Sequence, residues 1–415
     1  MYWSKLPNRE IKQRVFTALG KNLNYQQQPI LGLPATYLDQ EQFYFNAPFL
    51  KDAAFLSVLI HNPNHIGCHT YSQGETYFRG TQELEVELLK ICAEQIFQAA
   101  PNDFDGYVAP GGTEANIQAA WMYRNYFMKE HGVAPHEIGL VFSEDVHYSA
   151  YKACNLLQIS PITIPVDENN RIWKEEDLEL ALKAANDKGI SHFIVILNMG
   201  STMFGSIDDP DLILPIVEQY AKEYWVHVDA AFGGFIYPFT NPDNKLNFKH
   251  PKIASATIDG HKMLQAPYGT GIFLCKKNWI HFTQTEEASY VQGTDFTLCG
   301  SRSGANAVSM WMILKTHGSQ GWTYNLQRLI DRADSICDAL DEMNIDYFRD
   351  PYMNIVTIKA DNIPRAVAEN YHLVADDFNN PKWWKIVTMM HVDKPTIDQF
   401  LIDLKRKKTA PIASK

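Results

Sequence analysis

Two charged residues in the middle of the chain, Asp229 and Lys262, are placed where they could take part in one reaction. Asp229 ends a short β-rich run over residues 226–229, and a second such run over residues 254–259 ends shortly before Lys262. Open α/β sheets keep their ligand sites at the carboxyl ends of their strands. Pyridoxal 5'-phosphate (PLP) needs a lysine amine for covalent attachment and an aspartate that keeps its pyridine nitrogen protonated. The pair therefore predicts a PLP site.

The sequence around each of these residues forms a longer motif. HVDAAFGG covers residues 227–234, and T-x-D-G-H-K-M covers residues 257–263. Together they resemble the PLP-dependent group II amino-acid decarboxylases, in particular bacterial histidine decarboxylases and archaeal tyrosine/aspartate decarboxylases. The resemblance extends from residue 63 to residue 391. It implies an α/β fold of the aspartate aminotransferase type (PLP-dependent transferase, fold type I), with a mostly parallel central sheet and a smaller C-terminal α+β domain.

The resemblance implies that the chain decarboxylates an L-amino acid to the corresponding amine and CO2. A PLP-dependent carbon–carbon lyase of the sphingosine-phosphate lyase type and an aminotransferase are the alternatives within this fold. A non-catalytic PLP-binding protein is disfavoured, because a degenerate site would be expected to lose one of its key residues. The substrate stays open between histidine, aromatic, acidic and basic amino acids. An acidic substrate would need a basic residue at the pocket mouth, such as Arg79.

A glycine turn before a predicted helix is the expected phosphate site. The segment DGYVAPGGTEAN predicts a short strand, a turn and a helix that begins near Thr113. Free backbone N–H groups at a helix start bind anions, and glycines let the backbone approach closely. Such turns often only cap a helix, but this one resembles the phosphate loop of the family, with Gly112 and Thr113 as cofactor-binding residues.

The resemblance assigns further residues to the cofactor. His147 matches a histidine that stacks on the pyridine ring, and it is expected to be catalytic together with Lys262; a histidine that caps the following helix is the structural alternative. Thr202 matches a residue near the cofactor and substrate, and His261 one near the phosphate. The predicted cofactor-binding residues are Gly112, Thr113, His147, Thr202, Asp229, Ala231, His261, Lys262, Ser301 and Arg302.

A polar loop follows residue 277 and is expected to be functional because of its length. The resemblance makes it the catalytic loop, with Tyr290 as the residue that gives a proton to the substrate after CO2 is lost. A phenol with an ordinary pKa of about 10 is protonated at neutral pH. The G-S-R segment that contains Ser301 and Arg302 resembles one that reaches the phosphate of the neighbouring subunit's cofactor, which implies a homodimer with shared active sites.

The segment HNPNHIGCHTYS resembles the substrate-pocket loop, with Asn64 and His65 as substrate-binding residues. Its histidines at positions 61, 65 and 69 recur every four residues, which could place metal ligands on one helix face. Pro63 and Gly67 oppose a helix there, so no metal site is predicted.

Strands at 140–143, 162–166 and 192–198 alternate with helices, which predicts right-handed crossovers and a parallel sheet. Further helices are predicted at 81–98, 175–187, 306–343 and 395–405, and further strands at 354–360 and 385–391. Three parts are expected: a segment over residues 1–50 that packs on the partner subunit, a large PLP-binding domain over 51–305, and a small C-terminal domain over 306–415.

The composition is that of a globular enzyme with an acidic surface. Lysine and arginine number 37 against 48 aspartates and glutamates, which gives a net charge of −11 and argues against nucleic acid or an anionic membrane as a partner. Six widely spaced cysteines predict reduced thiols. The N-terminus has no signal-peptide core, and no apolar run approaches the roughly 18–20 residues of a membrane helix. A cytoplasmic protein is expected.

Overall fold

The computed structural model describes residues 1–25, 27–32, 38–39, 41–43, 46–67, 76–285 and 292–409. Its strands are β1 (Asn64–Ile66), β2 (Asp105–Ala109), β3 (Ile138–Ser143), β4 (Ser160–Ile164), β5 (His192–Asn198), β6 (Glu223–Ala230), β7 (Ile253–Asp259), β8 (Gly271–Cys275), β9 (Ser301–Ser303), β10 (Tyr347–Phe348), β11 (Ile355–Lys359), β12 (Val374–Ala375) and β13 (Trp383–Val387). Its α-helices are α1 (Asn8–Lys21), α2 (Ala54–His61), α3 (Arg79–Lys90), α4 (Gly112–His131), α5 (Ser149–Leu157), α6 (Glu175–Asn186), α7 (Pro210–Tyr220), α8 (Tyr237–Thr240), α9 (Gly304–Glu342), α10 (Arg365–Asn370) and α11 (Lys394–Thr409).

Seven strands of the described chain form the central sheet, in the order β2-β8-β7-β6-β5-β3-β4. All pairings are parallel except those of β8, which is antiparallel to both β2 and β7. The sequence HFIVILN of β5 is buried on both faces: Val195 and Leu197 belong to one hydrophobic cluster, and Ile194 and Ile196 to another. Such continuous apolar strands are typical of parallel sheets covered on both sides. The predicted fold type I architecture is confirmed.

The sheet brings distant parts of the chain to one edge. Asp229 lies opposite Thr257 on the neighbouring parallel strands β6 and β7, and β7 ends at Asp259. Gly271 at the start of β8 pairs with Asp259 on one side and with Ala109, at the carboxyl end of β2, on the other. Since α4 begins just after β2, its N-terminus lies near the ends of β6 and β7.

Gly271 permits this close arrangement. A Cβ atom built on it would lie 2.7 Å from the backbone Cα of Gly111. Real Cβ atoms do not approach backbone atoms so closely, so any other residue would push β8 and the turn before α4 apart. The turn that precedes α4 therefore packs directly on the sheet.

The long helix α9 connects the two halves of the chain. It is kinked at Gly318, where φ is 63°. Val308 and Trp311 before the kink join the main core, whereas Ile336 and Leu340 after it pack in the core of the C-terminal part. In that part four described strands form an antiparallel sheet, in the order β10-β11-β13-β12. The predicted boundary at residue 306 therefore falls inside a helix that serves both cores, and the three-part division stays a prediction.

Several predicted elements have different bounds in the structure; the strand predicted over residues 162–166, for example, is β4, Ser160–Ile164. The helix predicted over residues 81–98 is α3 followed directly by a π-helical turn, Ile91–Ile96. The strand predicted over residues 385–391 is wrong in its bounds, because the pairing with β11 begins at Trp383 and ends at Val387. Trp383 and Trp384 are both buried, so the strand is shifted toward its aromatic residues.

The N-terminal helix α1 packs on its own chain. Its apolar face, including Ile11, Val15 and Leu19, lies in the main core. The expected packing of this segment on a partner subunit stays a prediction. Within the described residues, no helix combines the length and apolar character needed to cross a membrane.

Candidate active site

A cavity of about 460 Å³ opens at the carboxyl edge of the central sheet. Its walls come from the turn before α4, the first turn of α4, the segment after β3, and the loops after β6 and β7. The lining residues are Pro110, Gly111, Gly112, Thr113, Glu114, Asn116, Ile117, His147, Tyr148, Ala231, Asp259, His261, Lys262 and Leu298. Of the residues predicted to bind the cofactor, Gly112, Thr113, His147, Ala231, His261 and Lys262 are among them.

Lys262 lies in the turn that follows β7, and its side chain is 32% exposed. Its ammonium is 3.2 Å from Oδ2 of Asp259. The imidazole Nε2 of His261 lies 3.6 Å from the same oxygen, while its Nδ1 donates to the carbonyl of Thr270 over 3.0 Å. The reactive amine is therefore held at the cavity wall by a buried carboxylate.

Asp229 is buried and receives two hydrogen bonds. The side-chain amide of Asn116 donates to Oδ2 over 2.8 Å, and the backbone N–H of Ala231 donates to Oδ1 over 3.1 Å. The two hydrogen bonds fix the orientation of the carboxylate. Asp229 can therefore pair with a positively charged group that enters from the cavity.

Asn116 is the centre of a hydrogen-bond network beneath the cavity. Its amide also donates to Oγ of Ser149 over 2.9 Å, and Ser149 Oγ lies 2.9 Å from Nδ1 of His147. Because both amide hydrogens are used, Oδ1 must accept, and it does so from Nε2 of His227 over 2.9 Å. Nδ1 of His227 then accepts from Ser255 over 2.8 Å. Burial lowers the pKa of His227 to about 4, so this ring is neutral.

His147 is half-buried at the cavity wall. The backbone N–H and the hydroxyl of Ser149 both approach its Nδ1, at 3.3 Å and 2.9 Å, so Nδ1 is the acceptor and Nε2 carries the hydrogen. Burial lowers the pKa of His147, an effect that the charge of Asp229 opposes. The ring is therefore a neutral, oriented group on one side of the cavity.

Glu114 lines the cavity next to the predicted phosphate loop. The hydroxyl of Tyr107 donates to its two carboxyl oxygens, over 2.8 Å and 3.0 Å. Burial raises the pKa of Glu114 to about 7. Its negative charge close to the helix start is thereby weakened near neutral pH.

These groups fit PLP. The site offers an amine for covalent attachment, a buried carboxylate for a pyridinium nitrogen, a neutral imidazole for a ring face, and the N-terminus of a 20-residue helix for a phosphate. Gly112, the first residue of that helix, leaves space that a Cβ would fill at 2.9 Å from Oδ2 of Asp259. The donor set and the small residues are those that a phosphorylated aldehyde cofactor requires.

Several predicted site residues lie elsewhere. Thr202 is an exposed turn residue after β5, and its carbonyl accepts from Lys385 over 3.0 Å. Lys385 lies on β13; burial lowers its pKa, and the charge of Lys262 lowers it further. Tyr290 lies outside the described residues.

The predicted substrate residues and the predicted phosphate-binding Ser301 and Arg302 are paired with each other. Strands β1 and β9 are antiparallel, so that His65 lies opposite Arg302. His65 is fully buried and its Nδ1 donates to Glu85 over 2.6 Å; Arg302 also donates to Glu85 and to the carbonyls of Val108 and Gly67. Neither side chain lines the cavity.

Asn64 and Ser301 are less enclosed than His65 and Arg302. The amide of Asn64 donates to the hydroxyl of Ser301 over 3.3 Å, and Ser301 is exposed. Ser301 and Ser303 are the exposed residues of this pair of strands, so a second molecule could reach them.

Sequence reasoning missed Asn116, Asp259, Glu114 and Leu298. Asn116 and Glu114 belong to the GGTEAN motif, so the motif itself was a signal. Asp259 precedes Lys262 within D-G-H-K, but the sequence pattern indicates only that it is the last residue of a strand. Leu298 lies in a loop without periodicity, and no sequence pattern indicated it.

Comparison with known proteins identifies the family. The model of the pyridoxal-dependent decarboxylase conserved domain matches residues 74–349. A tryptophan decarboxylase from Clostridium sporogenes is 46% identical over 407 residues, which cover 98% of this chain and 97% of that protein. A probable L-tyrosine/L-aspartate decarboxylase from Methanosphaera stadtmanae is 29% identical, over 79% of this chain and 83% of that protein.

A solved structure agrees with the fold. L-methionine decarboxylase from Streptomyces sp. 590 superposes with a TM-score of 0.70 at 19% identity, over 94% of this chain and 92% of that one. At this identity the likeness concerns the fold, whereas the family model and the curated relatives concern the chemistry. The chain belongs to the pyridoxal-dependent decarboxylase family, and it is a PLP-dependent amino-acid decarboxylase.

Proposed function

We propose that the substrate is an aromatic L-amino acid, with tryptophan the first candidate. The observation that carries this proposal is the 46% identity to a tryptophan decarboxylase over nearly the whole chain. The relative from Methanosphaera stadtmanae is named a probable L-tyrosine/L-aspartate decarboxylase. Its sequence identity to this chain is 29%, which is much lower.

The lining of the cavity argues against an acidic side chain on the substrate. Among its described lining residues, the groups that can be positive are His147, His261 and Lys262, and the proposed cofactor uses all three. Arg79, the candidate for an acidic substrate, is exposed at the start of α3 and is not one of these lining residues. Ile117 and Leu298 instead supply apolar surface for an aromatic ring.

Each residue of the site has a separate role in the proposed reaction. PLP, when bound, supplies the acceptor for the electron pair left by departing CO2. Lys262 would hold the cofactor covalently and yield it to the substrate amine, while Asp229, supported by Asn116, would keep the pyridine nitrogen protonated. His147 would cover the ring face, and the backbone at Gly112 and Thr113 would bind the phosphate. Tyr290 gives the proton that completes the amine.

We also propose a homodimer with shared sites. Ser301 is exposed, as are Leu298 at the cavity and Tyr148 beside His147, which leaves the mouth open for a second copy. Mixing two inactive variants, Lys262→Ala and Ser301→Asp, should restore activity, because one hybrid site would contain the native residue at both positions. Verified subunit exchange without recovery would contradict shared sites.

A substrate screen tests the central proposal. CO2 release should be measured from all proteinogenic amino acids, ornithine and diaminobutyrate, with Lys262→Ala as the control for enzyme-independent release. Tryptophan or another aromatic amino acid is expected to give the highest kcat/KM. A preference for an acidic or a basic amino acid would overturn it.

We place the enzyme in the cytoplasm. None of the cysteines among the described residues forms a disulfide, and several of them, such as Cys92 and Cys337, are buried. Cell fractionation with an antibody against the chain would test this location, and its recovery from an oxidising compartment would contradict it.

A further inference from the structure

A carboxylate lies against the helix N-terminus that is proposed to hold the phosphate. Asp259 is 3% exposed, and a Cβ built on Gly112 would lie 2.9 Å from its Oδ2 and 3.1 Å from its Oδ1. The free N–H groups and the dipole of α4 attract an anion to this place. Asp259 thus lies where the dianionic phosphate of PLP would bring a like charge.

Lys262 and His261 both approach the same oxygen of Asp259. Lys262 lies 3.2 Å from Oδ2 and His261 lies 3.6 Å from it. No donor among the described residues reaches Oδ1, although this atom is buried. The other charged or titratable groups around this carboxylate are Asp229 on the next strand, His147 across the cavity, and Glu114, which lines the cavity from the first turn of α4. Burial raises the pKa of Asp259, Lys262 and His261 lower it, and Asp229 raises it further.

Binding of the cofactor would make the ionised form of Asp259 less favourable. Covalent attachment at Lys262 would take at least two of the three hydrogens from the nearest ammonium and so weaken its ion pair with Asp259. The phosphate would add negative charge next to Gly112. A weaker ion pair and a like charge nearby both disfavour an ionised carboxylate.

We propose that Asp259 takes up a proton when PLP binds and then donates a hydrogen bond to the phosphate. The inference rests on the proposed function, which places the phosphate at α4 and the attachment at Lys262. The proton comes from solvent and ends on a carboxyl oxygen, and no other bond changes in this step. Cofactor loading is thereby coupled to one proton, and Asp259 is a residue that tunes PLP affinity with pH.

Calorimetric titration of the PLP-free chain with PLP tests the coupling. At pH 8, titrations in two buffers of different ionisation enthalpy give the number of protons taken up. The wild type is expected to take up about one proton more than Asp259→Asn, whose amide is a permanent neutral donor. The PLP dissociation constant should therefore increase with rising pH more steeply for the wild type than for the variant, by an additional factor of about ten per pH unit. Asp243→Asn, an exposed carboxylate, is the matched control and should behave as wild type.

Other outcomes would overturn either this inference or the proposed function. Equal proton uptake in the wild type and Asp259→Asn places the proton elsewhere and overturns the inference. A folded Asp259→Asn chain that no longer binds PLP shows that the anion is needed, and also overturns it. If the variant does not fold, the wild type is titrated with PLP and with pyridoxal, and equal proton uptake for both would sink the idea. Wild-type protein that binds no PLP, or binds it without decarboxylating any amino acid, would instead refute the proposed function.

Discussion

Asn116 donates to Asp229 over 2.8 Å, and this bond joins the start of α4 to the end of β6. The two residues are 113 positions apart in sequence. Since the same amide also donates to Ser149, which supports His147, one side chain fixes both the carboxylate for the pyridine nitrogen and the imidazole for the ring face. The backbone segment that offers the phosphate site thus also orients the groups for the ring.

Replacement of Asn116 should weaken PLP binding. Asn116→Leu keeps the approximate volume but removes the donor to Asp229. A hydrogen bond to a charged group contributes about 1.5–3 kcal/mol, so the PLP dissociation constant should rise by roughly 10- to 100-fold. Absorbance titration of the PLP-free chain measures it. Ser149→Ala, which leaves the bond to Asp229 intact, should have a smaller effect, and an unchanged constant in Asn116→Leu would remove Asn116 from this role.

Replacement of Lys262 should abolish covalent attachment. In Lys262→Ala the visible absorption of the bound cofactor should disappear, and decarboxylation should fall below detection because no amine is left to hold and exchange the cofactor. Lys262→Arg keeps a positive charge beside Asp259 and serves as the control for folding. A variant that retains the wild-type spectrum would show that another residue carries the cofactor.

The buried ion pair of Arg302 and Glu85 predicts a large effect on stability. Removal of one partner of such a pair costs about 3–5 kcal/mol, so Arg302→Met should lower the free energy of unfolding by this amount. The double variant Arg302→Met, Glu85→Met should be less destabilised than the sum of the single variants. Chemical denaturation measures these values. Wild-type stability in Arg302→Met would favour a role outside its own chain.

The same pair predicts a dependence on acid. Arg302 and His65 outweigh the desolvation of Glu85, which on its own raises the pKa, and hold the pKa of this carboxyl far below its usual range. The stabilising contribution is then fully present above the ordinary carboxyl pKa of about 4.3 and is lost as the pH falls below it. Between pH 5 and pH 2 (about the range of this titration), Glu85→Gln should lose stability less steeply than wild type. Parallel curves would exclude Glu85 as the titrating group.

Local patterns explain what could be predicted from the sequence. Asp229 and Lys262 stand at the ends of β-rich runs, and parallel neighbouring strands bring such ends together. The role expected for Arg302 illustrates the limit. Its partner Glu85 lies on α3, 217 residues away, in the helix predicted over residues 81–98, where the sequence analysis expects no functional residue. A pairing of this kind depends on how β1, β9 and α3 meet, which no local pattern contains.

The order of the strands sets a second limit. Asp259 meets the start of α4 because β8 is inserted antiparallel between β7 and β2. The sequence analysis predicts no strand over the residues of β8, and a local pattern would not give the neighbours or the direction of such a strand. The contact between Asp259 and Gly112 is therefore a property of the sheet topology.

Replacement of Tyr290 should separate the loss of CO2 from the protonation that follows it. After CO2 has left, the α-carbon must receive a proton before the amine can be released. A phenol with an ordinary pKa of about 10 is protonated at neutral pH and can supply it. Tyr290→Phe should still bind PLP and release CO2, while amine formation falls by about 10²-fold or more, the usual scale for a lost general acid. Aldehyde in place of amine is the expected by-product if oxygen intercepts the stalled reaction. CO2, amine and aldehyde should be quantified in the same samples, with Tyr324→Phe, an exposed tyrosine of α9, as the matched control. Amine formation at the parent rate without aldehyde would return Tyr290 to the role of a loop residue.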